Sequence, residues 1–225
     1  MNHVATTLPS ARLESFRGDF EIHVTVPAKD AELDRLAAWA ARRAVKFTHI
    51  VLARGSMPSQ PMLTIRVSGM LDAICSRAES MTADLLNEGF TVSRVKVEAA
   101  PYATGVPATN AEAAGSSDGM YFEHHVKLLL EPAYDEAALA ASVISHGAHL
   151  SRNARRLRDD GRAERFVTQR CRGVGRVEAG ERLEALTGVL VDVGLDVVSV
   201  EREYVVYDSA PAVDAGWIDE ECVRS

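Results

Sequence analysis

The chain has 225 residues, 47% hydrophobic and 25% charged, with a formal net charge of −7. This is ordinary for a folded globular protein, and the acidic excess argues against general nucleic-acid binding, which needs surplus Lys and Arg. Cys75, Cys171 and Cys222 form an odd set without metal-type CxxC spacing, so no disulfide framework is expected and a reducing, cytoplasmic setting fits.

Residues 1–18 hold no apolar signal core, and no apolar run approaches the ~18 residues of a membrane helix. Asp19 to Val26 alternates as a strand, with Phe20, Ile22, Val24 and Val26 on one face. Residues 30–44 follow as a helix with Asp30 as N-cap and Leu33, Leu36, Ala37 and Ala40 as its buried stripe. Trp39 in that helix is a core residue. Lys46 to Arg54 and Met62 to Ser68 read as strands around a turn holding Gly55 and Pro58. A second helix starts after Gly69, with Leu71, Ile74, Cys75, Ala78, Thr82 and Leu85 inward and Gly89 as its cap. Phe90 to Glu98 closes the half as a strand.

Residues 100–119 are rich in Ala, Gly, Ser, Thr and Pro and read as a linker. Beyond it the order recurs. Tyr121 to Leu130 is a strand, and Asp135 to His146 a helix ended by Gly147. Strands follow at about 148–156 and 165–172, then a helix carrying Leu183, Leu186 and Leu190, capped by Gly194. Leu195 to Val206 is the last strand, and in the tail from Asp208 Trp217 and Ile218 are candidates for docking on the body. The expected organisation is a tail (1–18), a first repeat (19–99), the linker, a second repeat (120–207) and a tail (208–225).

The two halves match residue by residue. Phe20, Glu21, His23 and Val24 correspond to Phe122, Glu123, His125 and Val126 at an offset of 102. Thr64, Arg66 and Gly69 correspond to Thr168, Arg170 and Gly173 at 104, and Gly89 and Glu98 to Gly194 and Glu203 at 105. Drift confined to loops is the mark of a duplication. The order βαββαβ matches the ferredoxin-like unit, an α+β fold whose antiparallel sheet carries both helices on one face. Its other face must meet water, the other half or a ligand.

Alternation decides what lies on that second face. It collects Glu21, His23, Glu123, His125, Lys127, Thr64, Arg66, Thr168, Arg170, Arg94, Lys96, Glu98 and Glu203. A solvated face is also polar, but Arg and His at matched positions suit an anion site: Arg offers a rigid fork to phosphate, and His exchanges protons near neutral pH. With the halves facing each other, Arg66 and Arg170 would clamp a phosphate between His23 and His125. Glu21 with His23, and Glu123 with His125, also offer ligands to a divalent metal. The Gly173-Val-Gly175 turn before a helix can present amides to a phosphate, though a plain turn is the simpler reading. The Arg155–Arg162 stretch reads as a solvated hairpin.

Two resemblances bear on function. His49-Ile-Val-Leu-Ala-Arg-Gly55 and His149-Leu-Ser151 resemble the paired His-x-Thr/Ser motifs of the two-histidine phosphoesterases, a duplicated α+β family. The resemblance implies His49 and His149 as acid and base with Ser151 on the phosphate, although Val51 stands where the first hydroxyl belongs. Glu123-x-His125-x-Lys127, with Glu201-x-Glu203, is similar to the Glu-x-Glu-x-Lys strand of the CYTH or triphosphate tunnel hydrolases, which implies metal and triphosphate held by inward side chains. The functional expectation is a phosphorylated small molecule, nucleotides included, bound in a cleft between the repeats and hydrolysed at a phosphoester or phosphoanhydride. The alternative is a non-catalytic ligand-binding or regulatory module. The expected protein partner is a second copy of the chain, as a homodimer.

Overall fold

The structure is a computed structural model and describes residues 16–115, 119–155 and 159–218. The N-terminal residues 1–15, part of the linker, Arg156 and Arg158 of the arginine-rich hairpin, and Cys222 lie outside the described residues.

The first repeat contains β1 (Arg17–Thr25), α1 (Ala31–Arg42), β2 (Lys46–Leu52), β3 (Ser59–Met70), α2 (Leu71–Asn87) and β4 (Arg94–Ala99). After α3 (Asn110–Ala114), the second contains β5 (Tyr121–Leu130), α4 (Glu136–Ile144), β6 (Ala148–Asn153), β7 (Ala163–Arg172), α5 (Arg176–Asp192) and β8 (Asp196–Asp208). The chain is thus a tandem duplication of a ferredoxin-like α+β unit.

Two compact units form, and their limits differ from those of the repeats. The first takes the chain through His49, Ser59–Val106 and Tyr204–Val213; the second takes Ile50–Pro58, Pro107–Glu203 and the chain from Asp214 on. In the first unit the strands run β4-β1-β3-β2, with β1 antiparallel to both β3 and β4. Residues Tyr204–Asp208 pair with the free edge of β4. In the second unit the order is β8-β5-β7-β6, and Ile50–Leu52 pairs with β6. Each repeat therefore follows the order 4-1-3-2 of a ferredoxin-like βαββαβ unit.

Alternation explains the packing. On β1, Phe20, Ile22 and Val24 are buried on the helix side, and α2 lies against β1 and β3 through Ile74, Cys75, Ala78, Met81 and Leu85. Trp39 is 1% exposed, as a core residue should be. In the second unit Val126, Leu128, Leu130 and Val167 meet Leu139, Val143, Leu183, Leu186 and Leu190 of α4 and α5 in one core. Each such side chain contributes roughly 1.5–3 kcal/mol on burial. Gly89 and Gly194 both end their helices at positive φ, 78° and 81°, which glycine adopts without a Cβ clash.

Several local expectations need correction. Asp30 occupies the N-cap position at φ 45°, but its side chain makes no capping bond; Asp135, by contrast, accepts from the amides of Ala137 and Ala138. The first helix exposes Leu33 partly and buries Trp39 in its stripe. Gly69 lies inside β3, opposite Gly18, whereas Gly173 follows β7, because the β1–β3 ladder runs on to Arg17 and Met70 while the β5–β7 ladder stops at Tyr121 and Arg172. For the same reason Arg17 and Gly18 belong to a strand, not a tail. The last strand of the first repeat starts at Arg94 rather than Phe90. The described part of the linker is structured: Thr109 and Glu112 form a reciprocal capping box on α3, and Val106 is buried. Trp217 of the C-terminal tail docks in the second unit, where its indole N–H donates to the Leu150 carbonyl at 2.9 Å.

No helix among the described residues is long and apolar enough to cross a membrane.

Candidate functional site

Cross-strand register builds the same constellation in each unit. In the first, β1 sets Glu21 opposite Arg66 of β3 and Glu98 of β4, and sets His23 opposite Thr64 and Lys96. Directly opposed residues sit close enough for their side chains to interact. The His23 Nδ1 meets the Thr64 hydroxyl at 2.9 Å, and its Nε2 meets Glu98 at 2.6 Å, with Glu21 at 3.8 Å. The Lys96 ammonium lies 2.5 Å from the other Glu98 oxygen, and Arg66 Nε donates to Glu21 at 2.6 Å.

The second unit repeats this. Glu123 faces Arg170, and His125 faces Thr168. The His125 Nδ1 lies 3.0 Å from the Thr168 hydroxyl, and its Nε2 lies 3.3 Å from Glu123 and 3.5 Å from Glu203. A threonine–imidazole–carboxylate chain is thus present in both repeats. The Thr hydroxyl can donate to a bare Nδ1 or accept from Nδ1–H, so it serves either tautomer.

The polar faces are far less open than alternation alone suggests. His23, Thr64, Arg94, Lys96, Glu98, Glu123, Thr168 and Arg170 are all buried. Arg66 is the exception, its side chain 69% exposed. The two expected phosphate clamps therefore differ in kind. Arg170 donates to Glu123 and Asp214, both at 2.5 Å, with Tyr121 and Trp217 rings against its guanidinium. Burial alone would lower its pKa, but Glu123, then Tyr121 and Asp214, hold it well above the ordinary arginine value. Arg170 is a buried structural cation; the expectation that it lies on an open face does not hold. Arg94 is likewise held by Asp208, at 2.8 and 2.5 Å, and Lys127 by Glu164 at 3.0 Å.

The second histidine pair is placed differently. His49 on β2 bonds the Ser59 hydroxyl at 2.9 Å in the first unit. His149 on β6 is buried in the second unit, its Nδ1 3.4 Å from the Arg54 guanidinium and its ring 6.2 Å from that of Trp217. Ser151 is also buried. The α5 N-terminus is no anion site. Gly175 N–H donates to the Asn110 side chain, and the amides of Arg176 and Val177 donate to the carbonyls of Pro107 and Ala108. Neither described cysteine is a nucleophile in waiting: burial pushes the Cys75 thiol up to about 12 and the Cys171 thiol to about 11.

Two residues escaped the sequence reading, Asp214 and His124; Trp217 is a docking candidate there, but not one aimed at Arg170. Asp214 and Trp217 reach Arg170 from the C-terminal segment, and no repeat signal marks Asp214. His124 lies on the helix side of β5, where its Nδ1 meets Gln169 Oε1 at 3.0 Å. The Gln169 amide nitrogen donates to the carbonyls of His146 and Arg182, so its oxygen must accept. This assigns the His124 proton to Nδ1.

No family model matches the chain, and no curated protein matches it. Among solved structures it is similar to the acetolactate synthase small subunit from Thermotoga maritima, at 15% identity, over 84% of this chain and 95% of that one, with a TM-score of 0.30. A Bacteroides thetaiotaomicron protein matches at 9% identity, over 82% and 94%, with a TM-score of 0.30. A chlorite dismutase variant from Candidatus Nitrospira defluvii matches at 10% identity, over 92% and 98%, with a TM-score of 0.27. Likeness at this level carries neither an activity nor a ligand to this chain.

Proposed function

We propose that the protein binds a phosphorylated small molecule and hydrolyses a phosphoester or phosphoanhydride, with histidine as acid and base. One observation carries this reading: both repeats hold a histidine between a threonine hydroxyl and a glutamate, next to an arginine–glutamate pair. An imidazole so held is fixed in orientation and can pass a proton through Nε2, and general acid–base catalysis needs that. His125, with a side chain 24% exposed, is better placed to exchange protons than His23 at 10%. Arg66 is the cation best placed to meet a phosphate, because its guanidinium is the exposed one. His49 and His149 stand second, because Val51 occupies the position of the first motif's hydroxyl.

The test is turnover on a panel of nucleotides and cyclic phosphates, with each of the four histidines replaced by Gln. Loss in His125→Gln and His23→Gln, with activity kept in His49→Gln and His149→Gln, is the expected result. The reverse pattern would move the chemistry to the two-histidine motif. A second reading, a non-catalytic binding module, is favoured by the internal pairing of Arg170, Arg94 and Lys127, which ties up the cations a phosphate would use. Saturable binding of a nucleotide with no turnover by the wild type would select it.

A further inference from the structure

We propose that two copies of the chain pair through the outer edge of β8, antiparallel and about a two-fold axis at Ser199. The inference does not rest on the phosphate reading. Each unit, taken by itself, treats its equivalent edge differently. In the first unit the outer edge of β4 is covered by Tyr204–Asp208, and Val95 on that strand is 2% exposed. In the second unit β8 occupies the equivalent edge. Its pairing with β4 begins only at Tyr204, and no strand among the described residues lies along the outer side of Asp196–Arg202. Val200, the counterpart of Val95 at the offset of 105, is 37% exposed, and Val198 is 50% exposed. An uncovered apolar edge is a template for another strand.

This edge is complementary to itself. Asp196, Val198, Val200 and Arg202 alternate onto one face. Antiparallel pairing centred on Ser199 sets Asp196 opposite Arg202 of the second copy, and Val198 opposite its Val200. Each contact occurs twice, as a two-fold interface requires. Four valines then lie between two pairs of opposite charge. Centring the pairing on Glu201 or Arg202 sets like charges opposite instead, which is unfavourable, so the charges select one register. The other face meets no conflict, because Ser199 faces itself and Glu201 faces Val197. Val191 and Val193 at the end of α5 are exposed as well and add apolar surface next to the start of the strand.

The experiment is analytical ultracentrifugation of the full-length protein from about 1 to 100 μM, where a modest interface dissociates. The expected result is a reversible monomer–dimer equilibrium. Arg202→Asp should raise the dissociation constant at least about 10-fold, because both opposed pairs become like charges, and adding Asp196→Arg should restore the dimer. Circular dichroism on each variant reports its folding. Ser199→Cys supplies a second readout. With copper–phenanthroline as oxidant it should give a disulfide-linked dimer, whereas Glu201→Cys and the wild type should not, because only residues at the axis come close enough to bridge. If Arg202→Asp unfolds, the cross-link decides. A monomer at every concentration would overturn the proposal and leave the edge to a strand of another protein. So would a dimer that tolerates Arg202→Asp, or one in which Ser199→Cys stays unlinked.

Discussion

At the scale of single residues, Arg66 and Arg170 occupy equivalent positions and do different work. Arg66 forms an exposed pair with Glu21, the kind worth about 0–1 kcal/mol. Arg170 sits between two buried carboxylates, and removing it takes a charge-assisted hydrogen bond from each, at a cost of about 3–5 kcal/mol. Chemical denaturation should therefore show Arg66→Ala close to wild type and Arg170→Ala strongly destabilised; equal small effects would mean that water reaches Glu123 and Asp214. His124 sets a pH dependence. Burial pulls its pKa below the ordinary value, with Arg202 and His125 adding to this against the opposing Gln169 hydrogen bond. Its folded pKa is then below its unfolded one, so its stabilisation is complete above about pH 6.5 and is lost as pH falls from there toward the folded value. Melting temperatures measured from pH 7.5 down to 5 should fall less steeply for His124→Gln than for wild type. A parallel fall in both would remove His124 from the acid response.

At the scale of elements, the segment before α3 is a structural strap. Its Pro107 and Ala108 carbonyls and the Asn110 side chain accept from the first amides of α5, groups a helix cannot satisfy internally. The strap passes so close that a Cβ on Gly175 would lie 2.6 Å from the Thr109 Cα. Gly175→Ala should therefore cost about 1–3 kcal/mol and loosen hydrogen-exchange protection at the start of α5. Unchanged protection at Arg176 and Val177 would show that the strap gives way without consequence. The Gly-rich turn thus has a packing reason, and the amides of Gly175, Arg176 and Val177, which a phosphate loop would offer, are already bonded to the strap.

At the scale of the whole molecule, each compact unit draws on both repeats. The first unit includes Tyr204–Val213, which pairs with the outer edge of β4 and supplies Asp208 to Arg94. A fragment ending at Val106 should leave β4 as an open edge and Arg94 buried without that partner. Such edges invite association. The fragment is expected to show weaker thermal stability and concentration-dependent self-association by light scattering. A monomeric fragment melting like the full chain would show that the C-terminal strand residues are dispensable.

The sequence by itself determined the duplication, the element order and the face on which each strand residue lies, because these depend on local periodicity and on matched positions such as Glu21/Glu123 and His23/His125. It also determined the cross-strand partners Thr64 and Thr168, since a ferredoxin-like order fixes which strands adjoin. Tertiary structure alone decided which of those polar residues remain available. Burial and charge pairing are non-local: Asp208 and Asp214 come from the far end of the chain to neutralise Arg94 and Arg170, and no pattern within a repeat announces them. For the same reason the shorter contact of His23 with Glu98, at 2.6 Å, against those of His125 with Glu123 and Glu203, at 3.3 and 3.5 Å, emerges only when distances are compared.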